Sequence, residues 1–223
     1  MSFDVKSFML DLLYPENVAC ISCGREAKLN KQGFCHDCAK YALCFYSAPR
    51  LELLDGYTAA YLYNAVTASP VKKLKYEGKK YLAKPLADEI VIPPLWETDV
   101  VVPVPLHYKR ERRRGFNQSE LIARCLSERL GLRLETNILA RLRDTNSQVG
   151  LNLEERLKNL DGAFVAGDAA KNLKILLVDD VRTTGSTLTE CARALRKAGA
   201  SRVYGATVCF KDTQKQVTET PEF

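Results

Sequence analysis

Apolar residues fall along this chain in two regimes. From residue 99 onward, continuous apolar runs alternate with amphipathic stretches. Asp99–Pro105 (DVVVPVP) and Lys174–Val178 (KILLV) read as buried strands, and Arg202–Val208 reads as a third. Asn117–Leu130, ended by Gly131, and Ser186–Lys197, closed by Gly199, carry helical periodicity. Leu132–Leu134 and Ile138–Leu139 border a short strand. Before this region, Gly56–Tyr63 reads as a strand, and Val66–Tyr76 and Tyr81–Val91 read as two helices broken near Gly78. At the front, Ser2–Leu13 places Phe3, Val5, Phe8, Met9, Leu12 and Leu13 on one broad helical face, with Pro15 just beyond. Without a basic polar face, it reads as a packing helix rather than a membrane-adhering one. Strands that are apolar without interruption and separated by helices predict a parallel sheet covered on both faces, an α/β fold. Ligands of such sheets bind beyond the carboxyl ends of the strands, here the loops after Val104 and after Val178.

Composition narrows the class. The chain has 223 residues, 46% of them hydrophobic and 27% charged, which is globular and excludes disorder. Its longest charge-free stretch, Gly56–Val71, is interrupted by Asn64, Ser69 and Pro70, so no membrane insertion is expected. Asp4, Lys6 and Asp11 break up any signal-peptide core, so a reducing, cytoplasmic compartment is expected.

Five of the eight cysteines lie between residues 20 and 44. Cys20-x2-Cys23 and Cys35-x2-Cys38 form two CxxC pairs, with Gly24 and Gly33 suited to the tight turns. Two facing pairs supply the four thiolates of a closed, structural Zn²⁺ site. The expected organisation is a helix and four-cysteine zinc module over 1–50, followed by an α/β domain over 51–223. Cys44 is expected in the core.

The most informative stretch is ILLVDDVRTTGSTL, Ile175–Leu188. A buried strand runs into Asp179 and Asp180, then a turn with Gly185 enters a helix. A helix N-terminus offers unpaired N–H groups and the positive end of a dipole, and glycine lets the backbone close around an anion. Thr183, Thr184, Ser186 and Thr187 add hydroxyl donors. The two carboxylates suit vicinal hydroxyls, or Mg²⁺ through water. Phosphate and diol together fit a ribose 5-phosphate. Neither a Walker loop nor a dinucleotide fingerprint is present.

After the other central strand comes PVPLHYKRERRRGFNQSELIA. Lys109, Arg110, Arg112, Arg113 and Arg114 against Glu111 concentrate a charge of +4 on six residues, out of a formal +6 for the chain. The segment reads as a cationic loop able to hold a pyrophosphate or a nucleic-acid backbone. His107 beside it reads as a structural donor. A second basic cluster, Lys72, Lys73, Lys75, Lys79, Lys80 and Lys84, is interleaved with Tyr76 and Tyr81. Bases with stackable rings are what single-stranded DNA binding requires, although the tyrosines alone read as core.

VDDVRTTGST closely resembles the 5-phosphoribosyl-1-pyrophosphate (PRPP) loop of type I phosphoribosyltransferases. That resemblance implies ribose hydroxyls on Asp179 and Asp180, as the catalytic acids, and the 5-phosphate on Thr183, Thr184, Gly185, Ser186 and Thr187. PVPLH followed by RRRGFNQSELIA, the CxxC pairs, KLKYEGKKYLAKPLA and a stretch with Arg143, Gln148, Leu153, Glu155, Arg156, Asn159 and Gly162–Phe164 resemble, in order, the ComF family of competence-associated proteins. The resemblance implies a type I phosphoribosyltransferase fold with an N-terminal zinc module, PRPP with Mg²⁺ as ligand, and a role in nucleotide metabolism or DNA uptake. Single-stranded DNA and uptake-machinery proteins are the implied partners. It also implies a hood over the site between Ala140 and Phe164. Transfer of the ribosyl group to a nitrogen acceptor is the alternative reading; the sequence names no acceptor and shows no N-terminal glutaminase cysteine.

Overall fold

The computed structural model describes residues 18–44, 51–142 and 162–212. The expected Ser2–Leu13 helix, the 50/51 boundary and the Arg143–Asn159 stretch lie outside the described residues.

The central sheet is built from five parallel strands: β1 (Gly56–Leu62), β2 (Val100–Pro103), β3 (Arg133–Leu134), β6 (Lys174–Arg182) and β7 (Arg202–Phe210). Their order across the sheet is β1-β7-β6-β2-β3. All four residues of β2 are buried, as are most of β6 and β7, because helices cover both faces. One face of β6, through Leu176 and Val178, packs with Val71 and Leu74 of α2 (Ala65–Tyr76) and with Ile122 and Leu126 of α5 (Gln118–Leu130). The other, through Ile175 and Leu177, packs with Leu188, Cys191 and Leu195 of α6 (Ser186–Lys197).

The helices start where local chemistry caps them. Asn64 Oδ1 accepts from the backbone N–H of Val66 and Thr67, and Thr67 Oγ1 accepts from the N–H of Asn64. This reciprocal box sets the start of α2. Asn117 Oδ1 accepts from Ser119 N and so opens α5, while Asn117 Nδ2 donates to Val104 O beyond β2.

Several expectations need correction. The Lys109–Arg114 segment is not a loop but a helix, α4 (Tyr108–Arg114). It buries no residue, so no apolar period announced it; the buried His107 caps it, Nδ1 accepting from Lys109 N at 3.4 Å. His107, read as a donor, thus acts as an acceptor through Nδ1. Three arginines in the last turn favour the helix dipole, and Gly115 at φ +81° ends it. The second predicted helix shrinks to a 3₁₀ turn (Lys80–Leu82) and α3 (Ala83–Asp88). The short strand near Leu132–Leu139 divides between sheets. Arg133–Leu134 joins the main sheet, while β4 (Leu139–Arg141) pairs antiparallel with β5 (Phe164–Ala166). Both main-sheet strands at the site run longer than expected: β6 continues to Arg182 and β7 to Phe210.

The cysteine module, with α1 (His36–Ala39), shares the core of the α/β domain. Phe34 meets the Tyr61 ring edge-on at 5.8 Å. Ser69 Oγ of α2 donates to Ser22 O at 2.7 Å, and Lys73 Nζ donates to the carbonyls of Ser22 and Ile21 at 2.5 and 3.3 Å. Cys44 is exposed rather than core and bridges Tyr61 through the backbone.

Candidate functional site

Asp179 and Asp180 lie inside β6, still paired with β7, rather than in a loop after it. Both are buried. The two carboxylates find partners on α5 and α2, two helices that cover the same face of β6. Asp179 Oδ1 accepts from Ser119 Oγ of α5 at 2.8 Å and from the N–H of Asp180 at 2.9 Å. Asp180 Oδ2 pairs with Lys75 Nζ of α2 at 2.7 Å. Burial first, then the neighbouring Asp180 charge, pushes the Asp179 carboxyl up to about 7, against the pull of Lys75 and Ser119. Burial of the Lys75 ammonium opposes its charge, yet Asp180 outweighs this and its pKa is raised.

The chain then enters the turn expected to cradle phosphate. Thr183 is exposed, Thr184 and Thr187 are half-buried, and Gly185 and Ser186 are buried. Gly185 has φ +89°, a conformation that favours glycine, and a Cβ there would push aside the end of the Leu51 side chain. It is the N-cap of α6 and has no side chain to cap it, while Thr184 Oγ1 accepts from the N–H of Ser186 at 3.3 Å. Thr184 Oγ1 and Ser186 Oγ are hydrogen-bonded to each other at 2.7 Å. The start of a twelve-residue helix, whose dipole favours an anion, thus lies next to paired carboxylates at one strand end.

β2 and β6 are neighbours, with Val104 N donating to Val178 O at 2.8 Å, so α4 and the start of α5 emerge beside the acid pair. Lys109, Arg112 and Arg113 are exposed, and Arg110 and Arg114 are half-buried. The Arg114 guanidinium lies 5.6 Å from the Tyr76 ring and Lys80 Nζ 5.0 Å from the Phe116 ring. Tyr76 and Tyr81 are 75% and 69% exposed, so neither is core.

The second basic cluster does not exist as one patch. Lys73 holds the cysteine module, Lys75 holds Asp180, and Lys79 and Lys84 pair with Glu77 and Asp88. Lys75 is the site residue that sequence reading misplaced. A signal was present: Ala68 and Val71 are buried, and Lys75 falls seven and four residues after them, on the apolar stripe of α2. A charge on a buried stripe needs a partner.

Cys20, Cys23, Cys35 and Cys38 come together, with all four Sγ within 4.8 Å of one another and Cys23 Sγ 3.8 Å from Cys35 Sγ. Tetrahedral ligation at a Zn–S distance of about 2.3 Å requires sulfurs about 3.8 Å apart, so the cluster fits a structural metal such as zinc. Gly24 and Gly33, at φ +77° and +84°, make the turns. Although burial opposes it, hydrogen bonding to Arg25 lowers the Cys23 thiol to about 6, toward the thiolate that ligates metal.

The parallel sheet, with an acid pair running into a glycine-led Ser/Thr turn at its carboxyl end, defines a phosphoribosyltransferase-like α/β protein carrying a small cysteine module. The chain belongs to the phosphoribosyl transferase domain family, which matches residues 81–222, and within it to the ComF type. It is 28% identical to "Competence protein F" of Haemophilus influenzae over 84% of this chain and 94% of that one. It is 29% identical to "Competence protein ComFC" of Bacillus subtilis over 89% and 86%. To "DNA utilization protein YhgH" of Escherichia coli K12 it is 39% identical over 50% of this chain and 49% of that protein. Among the described residues, no helix is long and apolar enough to cross a membrane.

Proposed function

We infer that this protein binds PRPP with Mg²⁺ and holds single-stranded DNA, in support of DNA uptake. The observation that carries the first part is the continuity of Asp179, Asp180 and the Thr183–Thr187 turn that leads into α6 at one strand end. The 5-phosphate sits on that turn and the ribose hydroxyls on the acid pair. Mg²⁺ would come with the pyrophosphate and supply charge neutralisation; carboxylate oxygens are the donors it takes, and Asp180 already has an internal cation in Lys75. Lys109, Arg110, Arg112, Arg113 and Arg114 flank the site as the cationic surface for pyrophosphate or for a nucleic-acid backbone. Relatives named for competence and DNA utilization support DNA uptake; we propose uptake-machinery proteins as partners and the cytoplasm as the compartment.

The test is calorimetric titration with PRPP and Mg²⁺, followed by incubation with nucleobases, amines and DNA while pyrophosphate is monitored. Binding without release supports the reading. Release dependent on one acceptor makes the protein a transferase instead, and absence of binding overturns the PRPP assignment.

For DNA, the supporting observation is that Arg114 over Tyr76 joins α4 to the exposed aromatic end of α2. Neutralising Arg112, Arg113 and Arg114 to glutamine should make the salt dependence of single-strand binding shallower by about 2 in log K against log salt, at ~0.7 per lost phosphate contact. An unchanged slope places DNA on another surface.

A further inference from the structure

The family match begins at residue 81, yet a charged side chain from before it reaches the acid pair. Lys75 arrives from the last turn of α2 with one-fifth of its side chain exposed, against 4% for Asp180. Its effect on the site follows from which oxygens are taken. Oδ1 of Asp179 is held by Ser119 and by the N–H of Asp180, and Oδ2 of Asp180 is held by Lys75. Each carboxylate is thereby fixed through one oxygen and keeps the other for a ligand. Two adjacent carboxylates with one acceptor oxygen each match two adjacent hydroxyls, and a sugar lacking one of them leaves an acceptor unpaired.

We propose that Lys75 is a positioning residue that sets the preference of this site for a ribose over a 2-deoxyribose 5-phosphate, by holding Asp180 so that both hydroxyls of the diol are read. The proposal rests on the ribose reading of the acid pair given above, and it assigns the discrimination to a residue outside the matched domain. Without Lys75 the Asp180 carboxylate loses the contact that orients it. The phosphate turn, built from Gly185 and the start of α6, does not touch Lys75 and keeps its affinity.

The experiment compares dissociation constants of ribose 5-phosphate, 2-deoxyribose 5-phosphate and inorganic phosphate for the full chain and for Lys75→Met, Lys75→Gln and Lys75→Arg. The unaltered chain should prefer ribose 5-phosphate by about tenfold to a hundredfold, the worth of one charge-assisted hydrogen bond. Lys75→Met should reduce that ratio to within about threefold of unity while inorganic phosphate binds as before, and Lys75→Arg should recover part of it. Lys75→Gln keeps a donor to Asp180 and provides a folded variant if Lys75→Met does not fold; its ratio should fall between the two. A Met or Gln variant that keeps the full preference overturns the role of Lys75 alone. An unaltered chain that binds inorganic phosphate but shows no ribose preference overturns the ribose reading, and the proposal with it.

Discussion

Asp179→Ala combined with Asp180→Ala is expected to lower PRPP affinity by about a hundredfold or more while the protein stays folded. On the PRPP reading each carboxylate accepts from a ribose hydroxyl, and above about pH 7, where Asp179 is ionised, such a hydrogen bond is worth about 1.5–3 kcal/mol, so two lost together amount to roughly 10²–10⁴ in affinity. Asp179 is a liability to the empty protein and its removal a gain, whereas Asp180→Ala leaves Lys75 without its partner and costs some of that gain. The Asp179 carboxyl rises from 3.8 to about 7 in the folded chain, burial being the largest cause and Asp180 the next. The folded state therefore holds that proton more tightly than the unfolded chain does. Stability is lost as pH climbs from about 4 to about 7, and the whole penalty is present above that. Asp179→Asn removes it. The gain in stability over the unaltered protein should be small near pH 4 and largest near pH 8, on the order of 1–3 kcal/mol there. Calorimetry with PRPP and Mg²⁺ reads the affinity, and melting curves across pH read the stability. Unchanged affinity in a folded double variant would sink the site assignment, and a pH-independent gain would sink the account of Asp179. The Asn pair serves if the Ala pair does not fold.

The sheet was readable in advance because its strands are apolar on both faces; Val100–Val102 and Ile175–Val178 have no polar position to make another element plausible. The turn around Gly185 was readable because residue chemistry there is local: glycine at positive φ, hydroxyls beside it and carboxylates before it. α4 was not, since its helix is stabilised by a histidine cap, the dipole and a glycine stop, and none of these produces an apolar period. Lys75 was obscured by its neighbours, being one of six lysines in thirteen residues. Only the fold separates it from Lys72, which is exposed, and Lys73, which holds the module. Tyr76 follows the same logic: an aromatic ring next to buried Leu74 reads as core, yet the helix turns it outward beneath Arg114. What sequence order conceals here is which helix face meets which end of the sheet.

Metal removal should propagate along α2. We expect about one Zn²⁺ per chain and a melting temperature that falls by about 10 °C or more when a chelator strips it, since the metal would tie together four thiols that lie within 4.8 Å of one another. A loss of several kcal/mol corresponds to about that shift in a chain of this length. The module is not a detached bead. Its Ile21 and Ser22 carbonyls receive Lys73, Ser22 also receives Ser69, and Phe34 fills the core against Tyr61. Those donors sit on the helix that carries Lys75, two residues beyond Lys73. Freed of its acceptors, α2 loosens at the turn that reaches Asp180, and sugar-phosphate affinity should drop several-fold while inorganic phosphate, held at the other face by α6, is little affected. Replacing Cys20 and Cys38 with serine should reproduce both effects. Elemental analysis, melting curves with and without chelator, and the two titrations check the sequence of events. A metal-free protein that melts as before would remove the zinc site. A destabilised protein whose ribose 5-phosphate and inorganic phosphate affinities fall together would show that the module supports the whole sheet rather than the acid pair through α2.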